Sequence, residues 1–206
     1  RRAAEAVVAA ALDGVRHLGL DALPWTPRAR RLAARMEWLR SQGEDLPNFS
    51  GAGLTDALPD WLGPFLGGVV RAEQFARIDL RAALEARLDR RARALLDRLA
   101  PEDITAPTGT RLPVEYAGAA PSVSVRLQEL FGLGVHPTVG PGCVPLAIEL
   151  LSPAGRPVQI TADLPGFWAK SYAEVRRDLR GRYPRHSWPE DPAAAEPTRR
   201  KKPRRA

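Results

Sequence analysis

The sequence predicts an α+β fold. Apolar residues recur at three- and four-residue spacing through the first hundred positions, and beyond Ile104 they alternate every second position in several stretches. Positive charge collects at the end of the chain. The formal net charge is +7, yet residues 199–206 alone hold six cations and no acid, so the rest sums to +1. The expected architecture is an N-terminal helical region (1–100), then an α+β region of a small antiparallel sheet with two helices (101–198). An extended basic tail (199–206) follows, expected to be disordered because a run of like charge repels itself. At 206 residues, 44% of them hydrophobic, the chain is long enough to bury a core without disulfides or metals. It begins without Met, which suggests a piece of something longer.

In chain order, residues 4–19 space Val8, Leu12, Val15 and Leu18 as one helical face. Thr26-Pro27 supplies an N-cap and a first-turn proline for a helix to about Gln42, burying Leu32, Met36 and Leu39. A short helix from Thr55 presents Leu58, Trp61, Leu62 and Phe65. Asp79 caps a long helix over 80–99 with a stripe of Leu80, Leu84, Leu88, Leu95 and Leu99. The mixed charges on its other face (Arg81, Glu85, Arg87, Asp89, Arg90, Arg93) read as a solvated surface, and Pro101 stops it. Leu112, Val114 and Tyr116 alternate as an edge strand containing Pro113. Residues 122–131 return to helical spacing through Val123, Leu127, Leu130 and Phe131. Val144, Leu146, Ile148 and Leu150 form a strand that turns at Ser152-Pro153-Ala154-Gly155 into a second strand at 158–161, a hairpin. Asp163 caps a helix to about Arg180, with Gly181 as its stop, and the four prolines of 183–197 make an extended wrap.

Several chemistries lack their residues. No Gly-x-x-x-x-Gly-Lys-Ser/Thr is present to cradle a triphosphate. Gly132-Leu133-Gly134 and Gly140-Pro141-Gly142 lack the strand-then-helix context of phosphate loops and read as plain loops. His17, His136 and His186 lie far apart, and a single cysteine, Cys143, excludes a disulfide framework or a cysteine-based zinc cluster. Cys143 reads as a packed thiol, with no histidine evidently placed to activate it. No metal site and no catalytic residue is expected. The longest strictly apolar run, Ala6 to Leu12, is far short of the ~20 residues of a membrane span, so no membrane partner is expected and a reducing, cytoplasmic setting fits.

The segment 168–180 carries a partner signal. On a helical wheel Trp168, Tyr172, Val175 and Leu179 share one face, while Lys170, Arg176, Arg177 and Arg180 share another. Arg182 and Arg185 follow, with Tyr183 and Trp188 interleaved. Cations for phosphate and rings for bases suit single-stranded nucleic acid. Equally open is a surface helix whose aromatics anchor it and whose arginines fork onto nearby carboxylates. Arg199, Arg200, Lys201 and Lys202 of the tail read either as a phosphate-binding arm or as a solubilising end.

The run Val125-Arg126-Leu127-Gln128-Glu129-Leu130-Phe131-Gly132 and the run from Glu149 through Ser152-Pro153-Ala154-Gly155-Arg156-Pro157 to Gln159 resemble the C-terminal region of HrpB-type bacterial ATP-dependent helicases, relatives of the DEAH-box RNA helicases. So do Asp163-Leu164-Pro165-Gly166-Phe167-Trp168, Gly181-Arg182-Tyr183-Pro184-Arg185-His186-Ser187-Trp188 with the prolines after it, and the turn Pro107-Thr108-Gly109-Thr110-Arg111. The resemblance is strong over 101–198 and looser before it, where Leu23-Pro24-Trp25 and Asp60-Trp61-Leu62 fit. It implies a region that follows two RecA-like motor domains, where ATP and magnesium would be bound and ATP hydrolysed. No motor motif lies here, so no catalytic residue carries over and this chain alone is not expected to be an enzyme. The implied role is an accessory region contacting nucleic acid, single-stranded RNA by the resemblance, or buttressing the motor domains. The alternative is a protein-interaction platform that recruits a partner to the helicase, favoured if an apolar patch around Trp61 or Phe65 is exposed.

Overall fold

Thr26 and Pro27 start a helix as their chemistry dictates. In the computed structural model, which describes residues 2–67, 69 and 71–200, the Thr26 hydroxyl accepts from the Ala29 amide at 3.1 Å and opens α2 (Pro27–Ser41). The chain divides into two compact units, Arg1–Ala100 and Pro101–Ala206. The first holds α1 (Arg2–Leu18), α2, α3 (Gly51–Asp56), α4 (Leu58–Trp61), α5 (Leu80–Glu85) and α6 (Arg90–Leu99), with short 3₁₀ turns between them. Its core gathers Leu32, Met36, Leu39, Leu54, Leu58, Trp61, Leu80 and Leu84. One charged side chain joins them. Arg35, 3% exposed, donates from Nε to the carbonyl of the fully buried Ala100 at 2.7 Å and reaches Asp97 at 3.4 Å.

Two helices expected from spacing begin or break elsewhere, each at a cap. The helix expected from Thr55 starts at Gly51, because Ser50 caps it by accepting from the Gly53 amide at 3.1 Å. Pro59 and Pro64, which have no amide to donate, then divide it into α4 and a 3₁₀ turn. The single helix expected over 80–99 is two. Asp89 leaves the helical conformation and accepts from the Ala92 amide at 2.7 Å, capping α6. After this break the buried positions are Ala92 and Leu96, with Leu95 and Leu99 half-buried.

The second unit is α+β, as expected. β1 (Asp103–Thr105) pairs antiparallel with β2 (Arg111–Pro113). The hairpin of β6 (Ala147–Leu151) and β7 (Pro157–Thr161) closes at the predicted turn, with Gly155 at φ 77°, where only glycine sits without strain, but its first strand begins at Ala147, because Val144 pairs in a separate short strand. Residues 122–131 do not form the expected helix. β3 (Ser122–Arg126) buries Val123 and Val125 in strict alternation, and only Leu127–Leu130 coil, as one 3₁₀ turn. The β-branched valines between serines favour the extended form, and the leucine spacing is met by that single turn. β3 pairs with β6 in parallel, so the central sheet, in order β3-β6-β7, is mixed rather than wholly antiparallel. The crossover between β3 and β6 carries the small antiparallel pair β4 (Thr138–Val139) and β5 (Val144–Pro145).

The Pro107-Thr108-Gly109-Thr110 turn has a structural task. Its two threonine hydroxyls donate to the carboxylate of Glu129, Thr108 at 2.9 Å, and Glu129 is only 6% exposed. A buried carboxylate needs such donors. The same 3₁₀ turn holds the final wrap. The Thr198 amide donates to the Gln128 carbonyl at 3.0 Å and the Gly132 amide to Pro192 at 2.9 Å. Gly132 has φ 81°, and a Cβ there would meet the Ala195 carbonyl at 3.1 Å.

Candidate nucleic-acid interface

The helix predicted from Asp163 to Arg180 is also two helices. Asp163 accepts from the Gly166 amide at 2.9 Å and caps α7 (Leu164–Lys170), and after Ser171 a second helix, α8 (Tyr172–Arg182), takes over. The aromatic residues of this corner form one cluster. Trp168 lies 5.2 Å from Phe167, 5.5 Å from Tyr172 and 6.1 Å from Phe131, between ring centroids. Edge-on and tilted pairs of this kind add to what burial contributes. Each polar handle finds a carbonyl: Trp168 Nε1 donates to Leu133 at 3.0 Å, the Tyr172 hydroxyl to Pro189 at 2.9 Å, and Trp188 Nε1 to Tyr183 at 2.9 Å.

Burial pushes the Tyr172 phenol up to about 12, while the Arg176 guanidinium pulls it weakly back. The folded unit therefore holds the phenol neutral above its ordinary value near ~10, and the associated stability is intact below about pH 10 and lost as the pH rises through about 12. A shift of two units corresponds to roughly 2–3 kcal/mol. Denaturant unfolding between those pH values should lose that much more stability in the parent than in Tyr172→Phe. Equal slopes would show that the phenol titrates freely.

The cations predicted as a nucleic-acid face divide into two groups. Arg176 is tied into the fold: its Nε donates to the Trp188 carbonyl at 2.9 Å, and its terminal nitrogen lies 3.6 Å from the exposed carboxylate of Glu190. The structural role left open by the sequence is carried mainly by the Trp188 carbonyl, with Glu190 as a looser, single-nitrogen ion pair. Arg176 sits only roughly 40° from Tyr172 on the α8 wheel, a sign that it borders the packed face. Arg177, Arg180 and Arg182 are exposed on α8, Lys170 is exposed at the end of α7, and Arg185 is exposed just beyond α8. Arg176, Arg177 and Arg180 line an open groove of about 750 Å³ with Ala173, Gly181 and Pro184. Glu174, one turn before Arg177, and Asp178 are also exposed on α8. In the tail Arg199 and Arg200 are exposed, whereas Lys201 and Lys202, and with them most of the expected disordered tail, lie outside the described residues.

Of the two rings expected to stack on bases, one is buried and the other is partly covered. Trp188 is 8% exposed, and Tyr183 is half-buried with its ring edge-on to His186 at 6.0 Å. Cys143, expected to be packed, is exposed in the turn before β5 at φ 50°. His136 proves to be structural. Its Nδ1 accepts from the Leu164 amide at 3.0 Å, which requires Nε2 to carry the proton it shares with the Leu146 carbonyl at 2.8 Å. Nothing in the spacing of the sequence signalled that contact across 28 residues. Among the described residues no group of three or more His, Cys, Asp or Glu side chains is arranged to hold a metal. Of the two residues whose exposure would mark a protein-docking patch, Trp61 is 1% exposed, with its indole donating to Leu54 at 2.9 Å, and Phe65 is half-buried.

The family described as ATP-dependent helicase C-terminal, HrpB_C, matches residues 61–192. The chain belongs to this HrpB-type helicase C-terminal family. It is 42% identical over 198 residues to the ATP-dependent RNA helicase HrpB of Escherichia coli (strain K12), covering 94% of this chain and 24% of that protein. The crystal structure of the E. coli DExH-box NTPase HrpB superposes with a TM-score of 0.84 at 42% identity, over 92% of this chain and 24% of the other. A crystal structure of the E. coli DEAH/RHA helicase HrpB gives 0.70 at 39% identity, over 86% and 23%. The chain thus spans about a quarter of the length of these relatives. The HrpB_C match includes α7, α8 and the wrap as far as Pro192, and so includes the whole groove.

Proposed function

We propose that this chain is the C-terminal accessory region of an ATP-dependent RNA helicase and that it contacts nucleic acid through the exposed arginines of α8. The observation that carries the reading is the pairing of an HrpB-type match over 61–192 with the groove that Arg177 and Arg180 line inside it. Clustered guanidinium groups neutralise phosphates and release counterions. In this reading ATP and magnesium are bound by motor domains, which are this region's partners in the same polypeptide, and single-stranded RNA is the nucleic acid. The chain itself turns over nothing. No helix of the described residues is long and apolar enough to cross a membrane.

The test is binding of single-stranded RNA across a salt series. Each phosphate neutralised on a single strand contributes a slope of roughly −0.7 in log K against log salt. Engagement of α8 with Arg199, Arg200, Lys201, Lys202 and the two arginines after them gives a steep slope. Deleting 199–206 should flatten it by up to about 4 while binding persists through α8. Absence of binding at about 50 mM salt contradicts the reading, and an unchanged slope after the deletion makes the tail a solubilising end.

A further inference from the structure

We infer that the α8 groove binds the sugar–phosphate backbone alone, without stacking on bases, so that its ligand class is a nucleic-acid strand of any sequence. This rests on the nucleic-acid reading above and narrows it. Surfaces that grip single strands ordinarily combine cations with exposed aromatic faces. Here three of the rings beside the groove belong to the core, and the fourth, Tyr183, is half-buried with its ring set edge-on to His186. Trp168, Tyr172 and Trp188 are 8%, 2% and 8% exposed, and each has its polar atom committed to a backbone carbonyl. Arg176 is turned toward the Trp188 carbonyl and Glu190.

What faces the solvent is guanidinium. Arg177 and Arg180 line the groove together with Arg176, whose Nε is committed to the Trp188 carbonyl, and the remaining walls are Ala173, Gly181 and Pro184, which have no side-chain donor or acceptor with which to read a base edge. Small walls let a ribose–phosphate chain approach the helix, and a guanidinium fork matches two phosphate oxygens at once. Asp178 is exposed roughly 160° round α8 from Arg180 and opposes phosphate there, while Glu174, one turn before Arg177, bounds the Arg177–Arg180 track on that side. Bases then point away from the protein and contribute nothing to affinity.

The experiment is a fluorescence-anisotropy titration of the full chain with two probes of about 12 nucleotides, within the usual single-strand site sizes. One is oligouridylate and the other is an abasic strand with the same number of phosphates. Both are also titrated against Arg177→Glu/Arg180→Glu. The expected result is affinities within about twofold of each other, equal salt slopes, and loss of both probes in the double variant. A uridine strand that binds more tightly by about 5- to 150-fold per stacked base overturns backbone-only binding and leaves the nucleic-acid reading standing. If the double variant binds both probes as the parent does, or the parent binds neither, the reading itself falls and this inference with it.

Discussion

Trp168→Ala should lower the stability of the second unit by about 3–5 kcal/mol. The indole is 8% exposed and packs against Phe131, Phe167 and Tyr172, so truncation opens a cavity bounded by three other rings. It also strips the Leu133 carbonyl of its indole partner. Against a total stability of ~5–15 kcal/mol for a domain of this size, that is a large fraction. Trp168→Phe keeps a ring and should lose clearly less. Urea unfolding followed by near-ultraviolet circular dichroism measures both. A loss under about 1 kcal/mol for the alanine variant would contradict the aromatic cluster as the centre of this unit's packing.

Arg35→Ala is expected to destabilise the first unit by about 3 kcal/mol. A hydrogen bond from a charged donor contributes ~1.5–3 kcal/mol, and its loss leaves the carbonyl of the fully buried Ala100 without this donor. The aliphatic stem adds packing that alanine also removes. Arg35→Met retains the stem and should lose only the polar part, about 2 kcal/mol. Asp97 contributes little to either figure, because its side chain is 69% exposed and its pair with Arg35 is solvent-screened. If methionine proves neutral or stabilising, the buried guanidinium costs as much to desolvate as its bonds return.

Much of this fold is written in local chemistry. Thr26-Pro27, Asp79 and Asp163 each announce a helix start, because a side-chain oxygen beside the first amides satisfies donors that the helix cannot. Ser152 to Gly155 announces the hairpin for the same kind of reason. Asp89 is harder to read, since an acid amid arginines fits a solvated face as well as a cap, and only its interruption of the stripe distinguishes them. The strand at Ser122–Arg126 is ambiguous because its valines and the following leucines satisfy both periods over a few residues. Its parallel pairing with β6 depends on residues more than twenty positions away. At the site, charge type was legible and partnership was not. Arg176 and Arg177 are adjacent arginines, yet the first is held by Trp188 and Glu190 from a wrap that no local pattern places.

That division between neighbouring arginines is the central claim, and paired variants test it in one measurement: affinity for single-stranded RNA at low salt, with melting temperature recorded on the same samples. Arg177→Glu/Arg180→Glu should weaken binding by at least about tenfold and flatten the salt slope by about 1.4, while changing stability within ~0.5 kcal/mol, as exposed substitutions do. Arg176→Ala should instead lower stability by about 1–3 kcal/mol, the cost of losing a charged bond to the Trp188 carbonyl, with a smaller effect on affinity. Undiminished binding in the double variant, with its melting temperature lowered, would contradict the account and make α8 a scaffold helix.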